Sequence, residues 1–267
     1  MKDINTKSGH TFYIPVMGTG FSIDTPLRVA KYGISSVISL VDDYLIEQMR
    51  KFHCEKEGEP YEKITDREED NRARRITAYL NLIDRIIKKQ VKELQASPFE
   101  KGSEITRYYE MLPETHLKRL YRNMLSSADT VEKAQMQEKL RSQAIPGSID
   151  VNIMTKVDFD AYRGKEKLPP EFSFSRAALR GFAKSNLHSS IVCSAGINLP
   201  FYNYITNFED FFPDENGYLR KKIILKVSDY RSSIIQGKFL AKKGLWVSEH
   251  RIESGLNCGG HAFASKG

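Results

Sequence analysis

Residues 11–41 read TFYIPVMGTGFSIDTPLRVAKYGISSVISLV, and the reading of this stretch decides the fold. TFYIPV is a short apolar run that ends in a glycine loop, MGTG. DTPLRVAKYG has the marks of a brief helix, with Asp24 or Thr25 as N-cap, Pro26 in the first turn and Gly33 as the stop. ISSVISLV then reads as a second buried strand. A strand–helix–strand unit of this kind predicts a parallel pair joined by a right-handed crossover.

The same alternation resumes at Ile145. SIDVNIMTKV, SSIVCSAG, KKIILKVSD and LWVSEHRI read as strands, with helices in SRAALRGFAKSN, PFYNYITNF and SSIIQGKFLAKKG. About six strands alternating with helices predict an α/β fold with a parallel sheet, either doubly wound or closed as a barrel. No repeat of a solenoid kind is present. Between the two alternating regions, residues 42–144 are long, charged and helical, an insertion after the second strand. TDREEDNRARRITAYLNLIDRIIKKQVKELQ opens with a capping box, Thr65 to Glu68. It places Ile76, Leu80, Ile83, Ile87, Val91 and Leu94 at steps of three and four, an apolar stripe. LPETHLKRLYRNML, with Pro113 at a first-turn position, and SADTVEKAQMQEKLRSQ read as further helices. Apolar stripes at helical spacing usually form core, so the insertion is expected to pack rather than to carry chemistry.

Composition narrows the function classes. The chain has 267 residues, 40% of them hydrophobic, and a mean hydropathy of −0.47. No apolar run reaches membrane-spanning length, so no membrane role is expected. The opening MKDINTKSGH lacks the apolar core of a secretory leader. Three scattered cysteines (Cys54, Cys193, Cys258) do not suggest a disulfide framework, and a reducing cytoplasm fits best. The formal charge is +7, yet 41 basic residues are interleaved with 34 acidic ones, as in EKITDREEDNRARR. That pattern reads as a mixed-sign helix surface rather than a nucleic-acid stripe, and the excess charge would favour an anionic substrate or cofactor.

The strand ends carry what a packed core does not need. They read PVMGTG, VNIM, CSAG, LKVSD and SGLNCGGH, and ligands bind at the carboxyl ends of parallel strands. Asn152 and Lys226 lie within otherwise apolar strands, where an unpartnered polar group is costly. Plainer readings stand beside these. His261 could be a loop histidine satisfied by backbone, and Lys226 could snorkel from a strand end. Cys258 and His261, with His53 and Cys54, could in principle hold zinc, but no second tight pair sits near a knuckle turn and no metal is expected. Cys193 reads as a small buried hydrophobe and Trp246 as a packing residue.

PVMGTGFSIDTPLRVAKYGISSVISL, IDVNIM, IVCSAG, IILKVSD and GLNCGGHAF, in that order, resemble the FMN-dependent nitronate monooxygenases, formerly 2-nitropropane dioxygenases, and their relatives the flavin-dependent enoyl-(acyl carrier protein) reductases. The resemblance covers residues 11–41 and the chain from about residue 145 onward, and skips the helical insertion. It implies a (β/α)8 TIM-barrel type, here incomplete, and a single FMN-binding barrel domain over residues 1–267. It also implies roles. Met17, Gly18 and Thr19 match the loop whose backbone lies along the flavin ring. Asn152 matches the strand asparagine at the ring's polar edge, and Lys226 would stabilise negative charge at its N1 and O2 side. Gly259 and Gly260 match the turn before His261, the family's catalytic base. Asn257 and Cys258 stand where the family often has Glu-Ala.

The expected function is therefore oxidation of a small nitronate-like or nitroalkane-like substrate. The alternatives are a nicotinamide-dependent enoyl reductase or a non-catalytic scaffold whose helical insertion binds a partner. With the signature at its end, the chain reads as a fragment stopping at the sixth strand's loop, itself expected to be inactive unless a C-terminal segment completes it; a homo-oligomer is the other partner expectation.

Overall fold

The structure, a computed structural model, describes residues 9–18, 22–40, 42–156, 158–194 and 196–253. Eight strands and nine α-helices are described. They run in the order β1 (Tyr13–Ile14), α1 (Thr25–Val29), β2 (Ser35–Ser39), α2 (Asp43–Glu57), α3 (Asn71–Ala96), α4 (Glu104–Glu110), α5 (His116–Ser126) and α6 (Thr130–Gln143). There follow β3 (Ile149–Met154), β4 (Tyr162–Arg163), β5 (Glu166–Lys167), α7 (Phe174–Ala183), β6 (Ser190–Ser194), α8 (Leu199–Ile205), β7 (Lys222–Val227), α9 (Tyr230–Ala241) and β8 (Val247–Ile252).

Six of the strands form one sheet in the order β1-β2-β3-β6-β7-β8. β1 pairs with β2, β3 with β6, β6 with β7 and β7 with β8, all parallel. Between β2 and β3 the bonds Ser36 N to Ser148 O and Leu40 N to Asn152 O advance together along both chains, which is also parallel pairing. The sheet order follows the chain order throughout. A doubly wound sheet reverses direction at a switch point; this one does not. The fold is α/β, with a six-stranded parallel sheet in the singly wound order of an incomplete barrel, and of the two architectures open in the sequence the barrel order is the one observed.

The chain divides into two compact units. The first comprises the described residues through Met17 with Asp24–Val37 and Ile83–Ile149. Its core is aromatic: Tyr108, Tyr109 and Tyr121 are buried with Leu94, Ile105, Met124 and Leu140. Tyr109 stacks on Tyr121 at 5.5 Å and donates to the carbonyl of Leu140 at 2.5 Å. Tyr108 donates to the carbonyl of Ile145. Buried hydroxyls thus find backbone acceptors, as burial requires. Gly33 closes the first helical segment at φ 79°, the left-handed position expected of a stop glycine. Ahead of β3, Gly147 donates to Ala30 O at 2.8 Å, in a very close approach to the backbone of Ile34 and Ser35.

The second unit comprises the described residues of Gly18–Ile23 and of Ile38–Leu82, and those from Asp150 onward. Within it, the first half of α3 lies against α7 where Gly181 admits Ile76. A Cβ on Gly181 would stand 2.7 Å from Ile76 Cγ2 and 2.9 Å from Ala73 O. Thr77 Oγ1 bonds the Gly181 carbonyl at 2.9 Å across the same contact. Gly181→Ala should therefore lower stability by about 1–3 kcal/mol. Urea midpoints would show it, and Ile76→Ala/Gly181→Ala should lose less than the sum of the single changes, because each relieves the other.

Every member of the predicted stripe (Ile76, Leu80, Ile83, Ile87, Val91, Leu94) is buried, so α3 does pack by that face. Its start differs from the expectation. Thr65 N bonds the Glu68 carboxylate at 2.7 Å, the backbone half of a capping box, but it closes a turn ahead of the helix. The chain then passes through Asp70 at φ 53°, whose carbonyl accepts from Arg74 N, and α3 begins at Asn71. Pro113 likewise precedes the cap of α5. Thr115 holds the N-cap, accepting from Lys118 N, so the proline is outside the first turn. Trp246 is not a packing residue: it is 67% exposed beside β8, the last strand of the sheet.

Candidate functional site

Register assigns the faces of the sheet in the second unit. Asn152 pairs with Val192, and Val192 with Ile224. Side chains alternate along a strand, so Lys226 shares a face with Ile224, and therefore with Asn152. α9 covers the other face. Ser233 Oγ lies 2.6 Å from His250 Nδ1, and a Cβ on Gly237 would stand 2.9 Å from the His250 ring. Cys193 is on this helix-covered face and buried, with burial pushing its thiol far up, as expected of a small hydrophobe.

The face turned away from α9 is polar toward the carboxyl edge. It carries Asn152, Ser194, Lys226 and Arg251. Asn152 is buried. Lys226 pairs with Glu253, Nζ to Oε2 at 2.9 Å, so its charge is balanced within the chain. It does not snorkel; it ends on a carboxylate. Loops after β3 and β6 lock this edge. Thr155 bonds Ser194 O through its N–H and its hydroxyl, both at 2.9 Å, and Asn198 Nδ2 bonds Thr155 O. Gly196, from the CSAG motif, adopts φ +107°, and a Cβ there would stand 2.4 Å from Lys156 Cε. The backbone conformation calls for glycine here, while the lysine side chain could swing aside from an added carbon.

The other predicted residues are distributed as follows. Met17 is 77% exposed in the loop after β1. The carbonyl of Gly18 accepts from Ser22 N at 3.0 Å. Thr19, Gly259, Gly260 and His261 lie outside the described residues, as does Cys258. Among the described residues no group of three or more His, Cys, Asp and Glu side chains is placed to hold a metal ion. His53 and Cys54 are both buried in α2.

A concave feature of this unit, apart from the polar edge, escaped the sequence reading. A cavity of about 730 Å³ is lined by Asp43, Tyr44, Arg72, Tyr162, Phe174 and their neighbours. It is built from the start of α2, the start of α3 and the β4–β5 hairpin that follows β3. The hairpin's signal was present as Arg163-Gly164-Lys165-Glu166, with Gly164 at φ 63°.

A charge network underlies the cavity. Asp43 accepts from Arg72 at 2.6 Å and from Arg75 at 2.8 Å, and Arg75 also reaches Asp66 at 2.6 Å. Asp70 pairs with Arg180, which in turn bonds Tyr204 and the carbonyl of Glu171. Burial alone would pull the Arg75 guanidinium down, but bonds to Asp66 and Asp43 outweigh it and hold the group above its ordinary value. Arg72 is the opposite case. Desolvation lowers it despite Asp43, and its guanidinium lies 3.2 Å over the Phe174 ring. The solvated mixed-sign surface expected from EKITDREEDNRARR holds for Glu62, Lys63, Asp66, Arg67, Glu69 and Arg74, which are exposed, but not for Arg75, which is buried, nor for half-buried Arg72; both of these arginines pair with Asp43. The period of the helix is the same in both readings, and only tertiary partners distinguish a buried arginine from a solvated one.

Compared with family models, curated proteins and solved structures, the chain matches none.

Proposed function

We propose that the chain is an FMN-dependent oxidoreductase of the nitronate monooxygenase-like group, built on the (β/α)8 plan and acting in the cytoplasm on a small nitroalkane-like substrate or the nitronate formed from it. The observation that carries this reading is the placement of Asn152 and Lys226 on one face, away from α9, at the carboxyl edge of a singly wound parallel sheet. In such sheets this edge is where ligands bind.

The side chains fit the polar edge of an isoalloxazine ring in kind. Asn152 offers a buried amide that can donate and accept. Lys226 offers a cation held in place by Glu253, which a negative ring edge could share. Bound FMN would supply the electron-accepting centre. The chain's own contribution is to orient and to move a proton. In this proposal Gly259 and Gly260 let backbone approach the ligand, and a His261 ring nitrogen takes the proton from the carbon α to the nitro group. The excess positive charge of the chain agrees with an anionic cofactor and substrate.

Calorimetric titration of the 267-residue chain with FMN tests the reading. Asn152→Ala should weaken binding about tenfold, the equivalent of one good hydrogen bond. His261→Ala should bind FMN as the wild type does, because its role is on the substrate. Absence of FMN binding by the wild type, or an Asn152→Ala variant that binds equally well, would refute the proposal.

A further inference from the structure

β8 ends the sheet, and among the described residues no strand pairs with its outer edge. An open edge presents a row of backbone donors and acceptors, and proteins normally cover, blunt or use it. Here the edge is flanked by apolar surface. Trp246 is exposed beside it, Ile252 within it is 48% exposed, and Tyr230 and Ile235 are exposed on α9, the helix that covers β8.

We propose that β8 pairs antiparallel with β8 of a second copy of this chain, about a two-fold axis at His250. The backbone fixes which residues are available. Glu253 N bonds Val227 O, so Glu253, and by alternation Arg251 and Glu249, turn their backbone groups inward to β7. Ser248, His250 and Ile252 consequently turn theirs outward. An antiparallel partner must then place hydrogen-bonded pairs at these three positions. Centring the axis on His250 does so, pairing His250 with its copy and Ser248 with Ile252 of the copy.

The same register gives the charges their partners. It sets Glu249 opposite Arg251 of the copy, and Arg251 opposite Glu249 of the copy. Both fall at non-hydrogen-bonded positions, where facing side chains come closest. Glu249 and Arg251 already share one face and bond each other at 2.6 Å, so the dimer would join two such pairs into a quartet of alternating sign. A strand whose charge pattern is its own complement under two-fold symmetry is suited to a second copy in a way that an unrelated partner strand need not be. The proposal is independent of the FMN reading, since it uses neither Asn152 nor His261.

Sedimentation or light scattering of the full chain over a range of concentrations tests it. The wild type should reach twice the chain mass of 30.6 kDa. Glu249→Arg or Arg251→Glu alone sets like charges opposite each other at two symmetric positions and should raise the dissociation constant about tenfold or more. The double exchange restores opposite signs and should return the constant to within about threefold of wild type. Ser248→Pro removes an outward N–H that β7 does not need, and should also favour the monomer. Circular dichroism of each variant separates loss of pairing from loss of fold. A wild type that stays monomeric throughout, a dimer indifferent to the single reversals, or a double exchange without recovery would each overturn the proposal.

Discussion

Gly147→Ala should cost about 3 kcal/mol or more and leave a chain that unfolds at much lower denaturant. The reason is steric and local. A Cβ at this position would stand 2.2 Å from both the carbonyl carbon and oxygen of Ile34 and 2.5 Å from Ser35 N. These are backbone atoms at the start of β2, and they cannot turn aside as a side-chain tip could. Relief would require the chain ahead of β3 to move, breaking the Gly147 N to Ala30 O bond at 2.8 Å and disturbing Ser36 N to Ser148 O. Overpacking that side chains can absorb costs about 1–3 kcal/mol, and backbone overlap belongs above that range. Gly102→Ala is the control. Gly102 sits at φ +82° with nothing within 4 Å of the added carbon, so only the conformational preference is lost, about 1 kcal/mol. Urea melts of the two variants should differ by at least twofold in the loss of stability. Equal losses would mean that Gly147 is not a contact glycine.

The alternation of apolar runs, glycines and helix signals was enough to place six strands and the helices between them. The reason is that a parallel sheet buries both faces of its strands and leaves short apolar runs bounded by turns. Gly33 and the α3 stripe were legible for the same reason, since they depend on local conformation and on helical period. The start of α3 was not. A capping box at Thr65–Glu68 satisfies the rules of sequence, but Asp70, whose carboxylate is drawn to Arg180 more than a hundred residues away, adopts a left-handed conformation and moves the helix start to Asn71. On the polar edge, Asn152 was conspicuous as a polar residue within an apolar strand, and the structure shows it buried there. Arg75 was hidden, since an arginine in a charged helix looks like surface until its partners are known. Trp246 was misread because size suggests burial, whereas position at the sheet's edge decides it.

The polar edge and the cavity are alike in leaving little charge available. Lys226 is met by Glu253, and Asp43, Asp66 and Asp70 are met by arginines, so neither feature presents an isolated buried charge. A ligand at either would have to be recognised by shape and hydrogen bonding, or by displacing part of an existing pair. Displacing one partner of a buried pair is costly. At the polar edge this argues for a ligand that offers Lys226 a replacement acceptor rather than a neutral one, which is the property the FMN proposal draws on.

Lys221→Met should cost about 3–5 kcal/mol, although the two side chains have similar volume and the position flanks an apolar strand. Lys221 is 0% exposed. Its ammonium donates to the carbonyls of Phe182 at 3.0 Å, Ser185 at 2.9 Å and Leu187 at 2.5 Å, and contacts the Ser185 hydroxyl at 3.2 Å. These carbonyls belong to the end of α7 and the turn after it, where a helix leaves acceptors without intrahelical donors. The lysine supplies those donors and sets a positive charge at the negative end of the helix, and it lies 4.3 Å over the Phe182 ring. Methionine would keep the packing and remove every donor. The carbonyls of Ser185 and Leu187 would lose this donor, each at about 1–3 kcal/mol before relaxation, whereas Phe182 O keeps its bonds from Ser185 N and Oγ. The neighbouring Lys222 gives the control, because it is only partly buried and Lys222→Met should change stability by less than about 1 kcal/mol. The adjacent lysines look alike in LRKKIILKV. If chemical denaturation found the two variants equally stable, the ammonium of Lys221 would not be what holds the end of α7.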